Sequence, residues 1–273
     1  QVNSAMDVKT FYGFSKMPFR KETNYNKPFE SEDAVGMTDR LKYLKTTKGI
    51  GVFTGPPGSG KTSIVKNYVS KLNGSLYYVI YIAMTTVTAT EFLRQVAYGL
   101  GLEPKNRKCD LFKQIHETIE SLSIDRKVTP VLILDEAQYL HNAILHDIKM
   151  LLNFDFDSKN RMILIFVGES GFNGILGKRV HDALRQRIVV NYDMQGHQKK
   201  EAEAYVKHCL KECGCREPVF SPEAINAAWE IGNGSVRRMN NILEKALIEG
   251  ANRKEKPIGT DTILMAQQEV ELG

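Results

Sequence analysis

From Gly49 onward the chain alternates between short apolar runs and longer segments whose apolar residues recur every three or four positions. "GIGVFTG" (49–55) is β-prone and ends at a glycine turn. "KTSIVKNYVSKL" then places Ile64, Val65, Tyr68, Val69 and Leu72 on one helical face. "YYVIYIA" (77–83) predicts a second strand, too continuous in apolar residues to leave a wet face. "ATEFLRQVAYGLGL" reads as a helix stopped by glycines, and Leu111, Ile115, Ile119 and Leu122 mark another. "VTPVLILDE" is a strand, "AILHDIKMLLNF" a helix, "RMILIFVG" a strand and "QRIVVNY" a last short strand. Strands separated by helices predict an α/β domain whose parallel sheet is covered by helices on both faces.

After about Tyr192 the strand pattern stops. "KKEAEAYVKHCLKEC", "SPEAINAAWEI", "SVRRMNNILEKALIEGAN" and "TDTILMAQQEVEL" are four helix-like segments separated by glycine, proline and capping residues. Ser221 before Pro222 and Glu223 is a strong helix start, and so is Thr260 before Asp261. The expected organisation is an α/β domain over 6–192 that includes an aromatic N-terminal segment, then a small all-helical domain over 193–273. Residues 1–5 read as an expression remnant ahead of a natural start at Met6.

Composition narrows the class only a little. Hydrophobic content of 42% with 25% charged residues is that of a globular protein, and no apolar run approaches the roughly 20 residues of a membrane helix. The first residues lack a basic stretch followed by an apolar one, so no secretory leader is expected. The net charge of +5 is mildly basic and fits either nucleic-acid contact or a lysine-rich surface. Cys109, Cys209, Cys213 and Cys215 match none of the usual zinc spacings, even with His208 beside them, and are expected as reduced thiols. A bacterial cytoplasmic location without membrane partners is the corresponding expectation.

The chemistry begins at "GPPGSGKT" (Gly55, Pro56, Pro57, Gly58, Ser59, Gly60, Lys61, Thr62), with Ser63 following. This is an ungapped P-loop in the required context, after a strand and opening a helix. Its glycines let backbone N–H groups converge on phosphate oxygens, and the helix start adds its positive end. Lys61 is placed to reach the β- and γ-phosphates, and the Thr62 hydroxyl to ligate Mg²⁺. "VLILDEAQ" delivers Asp135 and Glu136 to the end of a strand, where doubly wound sheets place ligands. Asp135 can hold Mg²⁺ through water, and Glu136 can polarise the attacking water. The pair argues for ATP hydrolysis rather than binding alone.

With both motifs placed and a helical domain after them, the chain resembles the AAA+ ATPases, and within them the ExeA-like group that includes transposition helpers of the TnsC and phage Mu B type. "FYGFSKMPF" (11–19), "LRQRI" (184–188) and "GNGSVRRMNNI" (232–242) carry the finer likeness. The resemblance implies that Arg187, or alternatively Arg185, enters a neighbouring subunit's site toward the γ-phosphate. It implies that Arg237 senses nucleotide from the lid while Arg238 faces outward. Ser170 or Glu169 takes the polar sensor position after "ILIFVG", where relatives more often carry an amide or hydroxyl. Phe11, Tyr12, Phe14 and Phe19 read as a clasp on the sheet, compatible with an adenine-side wall.

A trans-acting arginine requires a homo-oligomer, expected as a ring or helical filament. The leading expectation is an ATP-dependent regulator of transposition that assembles on double-stranded DNA and recruits a transposase, with a target-selection protein as a further partner. Candidate phosphate contacts are Thr85, Thr86 and Thr88 in "TTVTAT" and Lys105, Arg107 and Lys108 in "KNRK"; a capping loop and a solvated basic loop are the plain alternatives. The second expectation is an ExeA-like ATPase that assembles a secretion apparatus.

Overall fold

The computed structural model describes residues 5–154, 159–196 and 198–271. The suggested N-terminal remnant lies outside the described residues apart from Ala5, which opens α1 (Ala5–Tyr12). The chain forms two compact units. One holds Gly36–Gly55 and Lys61–Met194; the other holds the N-terminal segment up to Val35, the turn Pro56–Gly60 and the chain from Gln195 onward.

The first unit is a five-stranded parallel sheet built from β1 (Gly49–Thr54), β2 (Tyr77–Ala83), β3 (Thr129–Asp135), β4 (Ile163–Val167) and β5 (Ile188–Asp193), in the order β2-β3-β4-β1-β5. Every expected strand is present. The period-two alternation of side chains assigns each strand residue to one of two cores. Ile50, Val52, Leu132, Leu134, Leu164 and Phe166 face one core. It is covered by α4 (Ala89–Gly99), α5 (Lys108–Ile124) and α6 (Asn142–Leu151), with Leu111, Ile115, Ile119 and Leu122 buried as their spacing predicts. Phe53, Val131, Ile133, Ile163, Ile165 and Val167 face the other core, under α2 (Glu32–Thr47) and α3 (Lys61–Val69).

α2 does not stand out in the apolar pattern, yet it carries a readable signal. Met37, Leu41 and Leu44 recur at helical spacing and are fully buried. The Ser31 hydroxyl accepts from the Ala34 amide at 3.1 Å, capping the helix start. The short helices α7 (Gly171–Leu176) and α8 (Asp182–Arg185), between β4 and β5, also escape the sequence pattern. At four to six residues they are too short to show a period.

β2 corrects one expectation, for it does have a wet face: Val79 and Tyr81 are 38% and 40% exposed and Ala83 is exposed too, while Ile80 and Ile82 on the other face are buried. The cause is position, because β2 is an edge strand of the sheet. Lysine ammonium groups lie over two of its aromatic rings. Lys45 Nζ lies 5.4 Å from the Tyr77 ring centre and Lys66 Nζ 4.6 Å from that of Tyr81.

The second unit has its own apolar core, formed by α1, α9 (Lys199–Glu212), α10 (Pro222–Gly232), α11 (Val236–Asn252) and α12 (Thr260–Glu271). Ser221 caps α10, accepting from the Ala224 amide at 3.1 Å with Pro222 at the first helical position. The N-terminal aromatic segment belongs here, which corrects both its expected place on the sheet and the domain boundary at residue 6. Tyr12, Phe14 and Phe19 are buried among residues of α9, α10 and α11, whereas Phe11 is 37% exposed. Tyr12 donates to the Glu255 carbonyl at 3.2 Å, and Phe19 meets Phe220 edge-on at 6.2 Å. The helices of this unit leave an apolar gap that aromatic rings fill, so packing overrides nearness in sequence.

Cys209, Cys213 and Cys215 are buried free thiols of the same core, and no metal-holding group of histidine, cysteine and acidic residues occurs among the described residues. Burial pushes the Cys209 and Cys213 thiols up to about 11, which keeps them protonated. Among the described residues no helix is long and apolar enough to cross a membrane.

Tyr12→Ala should destabilise the helical unit by about 3–5 kcal/mol through the cavity it leaves. The measurement is urea unfolding followed by fluorescence of Trp229, the chain's single tryptophan, which packs against this core. An unchanged midpoint would contradict the assignment of the N-terminal segment to this unit.

Candidate nucleotide site

Parallel strands deliver their C-terminal ends to one edge of the sheet, and the candidate residues gather there. β1 leads into the P-loop, β3 ends at Asp135, β4 is followed by Glu169 and Ser170, and β5 ends at Asp193. β4 lies between β1 and β3, so the P-loop strand and the acidic strand are not adjacent but flank one position.

The P-loop has the backbone its glycines permit. Gly58 and Gly60 have φ of +75° and +94°, values that L side chains rarely adopt. At Gly60 a Cβ would meet nothing within 4 Å, so the turn is open on that side. At Gly58 a Cβ would lie 2.5 Å from Ser235 Oγ and 3.2 Å from Arg237 Cβ, so the phosphate turn packs closely on the start of α11. This puts the lid arginine of the sequence reading beside the turn; both Arg237 and Arg238 are exposed.

Lys61 is buried, and its ammonium donates to the Gly55 carbonyl at 2.9 Å, bridging its own loop. Burial pushes its pKa down, opposed by the nearby carboxylates of Glu136, Glu169, Asp135 and Asp193. A desolvated cation ringed by acids is suited to receiving a polyanion together with a metal ion. Thr62, next in sequence, donates to Asp135 Oδ2 at 2.9 Å. The same carboxylate oxygen accepts from the Tyr81 hydroxyl at 2.5 Å, and Oδ1 accepts from the Glu136 amide at 2.9 Å.

Glu136 is exposed and has φ +57°, the left-handed region. A non-glycine residue there is strained and tends to mark function. Its carboxylate accepts from Gln138 Nε2 at 2.6 Å, while Gln138 Oε1 accepts from the Glu169 amide at 3.1 Å. Gln138 thus ties the candidate base to the end of β4. Gly168 makes room for this tie, since a Cβ there would lie 2.9 Å from Gln138 Oε1.

The two sensor candidates separate. The Ser170 hydroxyl donates to Asp193 Oδ1 at 2.9 Å, and the Thr54 hydroxyl donates to the same oxygen at 2.6 Å. Asn173 Nδ2 donates to Thr54 Oγ1 at 2.8 Å, which brings an amide into this group from α7. Glu169 instead adds negative charge near Lys61. The arginines separate as well. Arg187 is half-buried and donates to the Leu152 carbonyl at 2.7 Å, which holds it inside its own chain. Arg185 is exposed, at 2.5 Å from Asp182 and 3.1 Å from the Gly177 carbonyl.

The DNA candidates disperse over loops and caps. Thr88 is the N-cap of α4 in a capping box with Glu91, accepting its amide at 3.2 Å and donating to its carboxylate at 2.8 Å. Lys108 pairs with the largely buried Asp147 at 2.7 Å, and Arg107 approaches Asp110 at 4.0 Å. Thr85, Thr86 and Lys105 are exposed. For Thr88 and Lys108 the structural role accounts for the residue without a ligand.

Tyr81, Gln138, Thr54, Asn173 and Asp193 are site residues that sequence reasoning misses. Only Gln138 stood inside a recognisable motif, "VLILDEAQ". Tyr81 lies on the same sheet face as Asp135, a relation that only the pairing of β2 with β3 reveals.

The sheet order, the P-loop and the acidic pair at β3 are those of a P-loop ATPase whose fold is of the AAA+ type. Residues 44–176 match the family described as "AAA domain". The chain is 26% identical over 265 residues to General secretion pathway protein A of Aeromonas hydrophila, a match covering 95% of this chain but only 48% of that protein. The chain therefore spans about half the length of this curated relative. Among solved structures it is similar to Cdc6p from Pyrobaculum aerophilum (TM-score 0.71, 18% identity, covering 92% of this chain and 70% of that one). It is also similar to the Aeropyrum pernix ORC1 protein in complex with DNA (TM-score 0.65, 17% identity, 91% and 67% covered). The Thermotoga maritima RuvB Holliday junction branch migration motor gives a TM-score of 0.58 at 16% identity, with 88% and 69% covered. At such identities the structural likeness concerns the fold.

Lys61→Ala should weaken ATP binding by about 100-fold, since it removes charge-assisted bonds to phosphate worth about 1.5–3 kcal/mol each. Titration with a fluorescent ATP analogue measures this, and unchanged affinity would remove Lys61 from the site.

Proposed function

We propose that the chain is the ATP-hydrolysing part of a secretion-pathway protein of the ExeA-like kind. The similarity to General secretion pathway protein A, which runs through 95% of this chain, carries the reading. It is preferred to the transposition reading for that reason. The P-loop amides and Lys61 would bind the triphosphate, Thr62 and Asp135 would hold Mg²⁺, and Glu136 would polarise the attacking water. The donor set fits: a hydroxyl and a carboxylate are hard oxygen ligands, 2.9 Å apart, beside a lysine. Mg²⁺, when bound, neutralises charge building on the phosphates.

Arg185 is the better candidate for the trans arginine because it is exposed, its ties to Asp182 and the Gly177 carbonyl lying at the surface, whereas Arg187 is half-buried on the Leu152 carbonyl. A residue acting in a neighbour's site makes hydrolysis depend on self-association. ATP binding then favours the assembled state and hydrolysis releases it, which gives the secretion machinery a nucleotide-timed change of state. Assembly on double-stranded DNA with transposase recruitment is the second reading, resting on exposed Thr85, Thr86 and Lys105 and on the DNA-bound ORC1 protein of the same fold.

Two variants check the cycle. Glu136→Gln should bind ATP normally and persist as an oligomer in light scattering, with turnover down about 100-fold or more; normal turnover would remove Glu136 from its role. Arg185→Ala should keep nucleotide binding and lose about 10³-fold in hydrolysis, and adding a hydrolysis-dead Glu136→Gln subunit with intact Arg185 should restore part of it. If Arg187→Ala shows that pattern instead, the arginine assignment is reversed. In cells, Lys61→Ala should impair protein secretion; impaired transposition with intact secretion would overturn the preferred reading.

A further inference from the structure

We infer that Tyr81 is a positioning residue for Asp135, fixing the carboxylate that serves the divalent cation; the inference rests on the ATPase reading. Three observations converge on it. Tyr81 donates to Asp135 Oδ2 at 2.5 Å, the same oxygen that Thr62 reaches at 2.9 Å. Parallel pairing sets Ala83 opposite Asp135, so Tyr81, two positions earlier, lies on the same sheet face and its ring spans one repeat to the carboxylate. Lys66 Nζ sits 4.6 Å from the ring centre and holds the phenol in place from α3, the helix that begins with Lys61 and Thr62.

Asp135 is 5% exposed, and a buried carboxylate needs donors at both oxygens. Its Oδ1 is held by the Glu136 amide, and its Oδ2 by two hydroxyls. Thr62 is the hydroxyl the site assigns to the cation; it would ligate through an oxygen lone pair while its O–H still serves Asp135, so this donor is shared between two tasks. Among the described residues the phenol hydroxyl has Asp135 as its one partner at the site, and it keeps the carboxylate from rotating. In this role Tyr81 acts through Asp135. The ring's 40% exposure shows that it is not needed to fill the core, which leaves its hydroxyl as the feature the site uses.

The test compares Tyr81→Phe, which loses only the hydroxyl, with Tyr81→Leu, which also loses the ring, in the full chain. A fluorescent ATP analogue is titrated in EDTA and then at increasing Mg²⁺, and Mn²⁺ bound with nucleotide is followed by electron paramagnetic resonance. For Tyr81→Phe, binding in EDTA should match the unaltered chain, while half-saturating Mg²⁺ rises about tenfold, in keeping with loss of a hydrogen bond to a charged group. The Mn²⁺ signal should broaden, and kcat should fall with KM for Mg-ATP rising alongside it. Tyr81→Phe matching the unaltered chain in cation affinity and Mn²⁺ spectrum, with only Tyr81→Leu impaired, would show that the ring alone matters and overturn the inference. Failure of the unaltered chain to bind nucleotide would instead sink the ATPase reading and this inference with it.

Discussion

A carboxylate buried at the end of a strand is the constraint around which this site is organised. Asp135 is carried to the sheet's edge by four apolar residues that must be inside, and it is buried because they are. Burial makes its hydrogen bonds obligatory. They are met from three directions: the first turn of α3 through Thr62, the neighbouring strand through Tyr81, and the strained backbone of Glu136. The P-loop, the edge strand and the candidate base are thereby tied to one side chain.

A second linkage runs along the same edge of the sheet. Gln138 connects the Glu136 carboxylate to the amide at the end of β4, and Asp193 gathers Thr54 and Ser170 at the end of β5. The ends of β3 and β4, and of β1 and β5, are thus joined by polar side chains. Gly168 is a condition of the link between β3 and β4, since a side chain there would push Gln138 away from Glu136.

The helical unit follows a different logic, with aromatic burial in place of polar linkage. Tyr12, Phe14 and Phe19 close its core although they precede the sheet in sequence. Two of its buried thiols are held protonated, and they pack as small apolar groups. The turn Pro56–Gly60 groups with this unit through Ser235 and Arg237, which is why a lid arginine could be named from sequence and yet needed coordinates to be seen beside the turn.

The chain's own order of residues was enough for the five strands, the principal flanking and C-terminal helices, and the Lys61, Thr62, Asp135 and Glu136 set. Each of these depends on local spacing, either a hydrophobic period or a motif whose glycines, cation and acids must follow one another. Which strand lies at the edge, why "YYVIYIA" has a wet face, where the N-terminal aromatics pack and which of Arg185 and Arg187 is held inside the chain could come only from the tertiary structure. So did the donors Tyr81 and Gln138 and the role of Thr88 as a cap rather than a ligand contact. These properties belong to pairs of residues that meet across the fold, and no single segment contains the information about its partner.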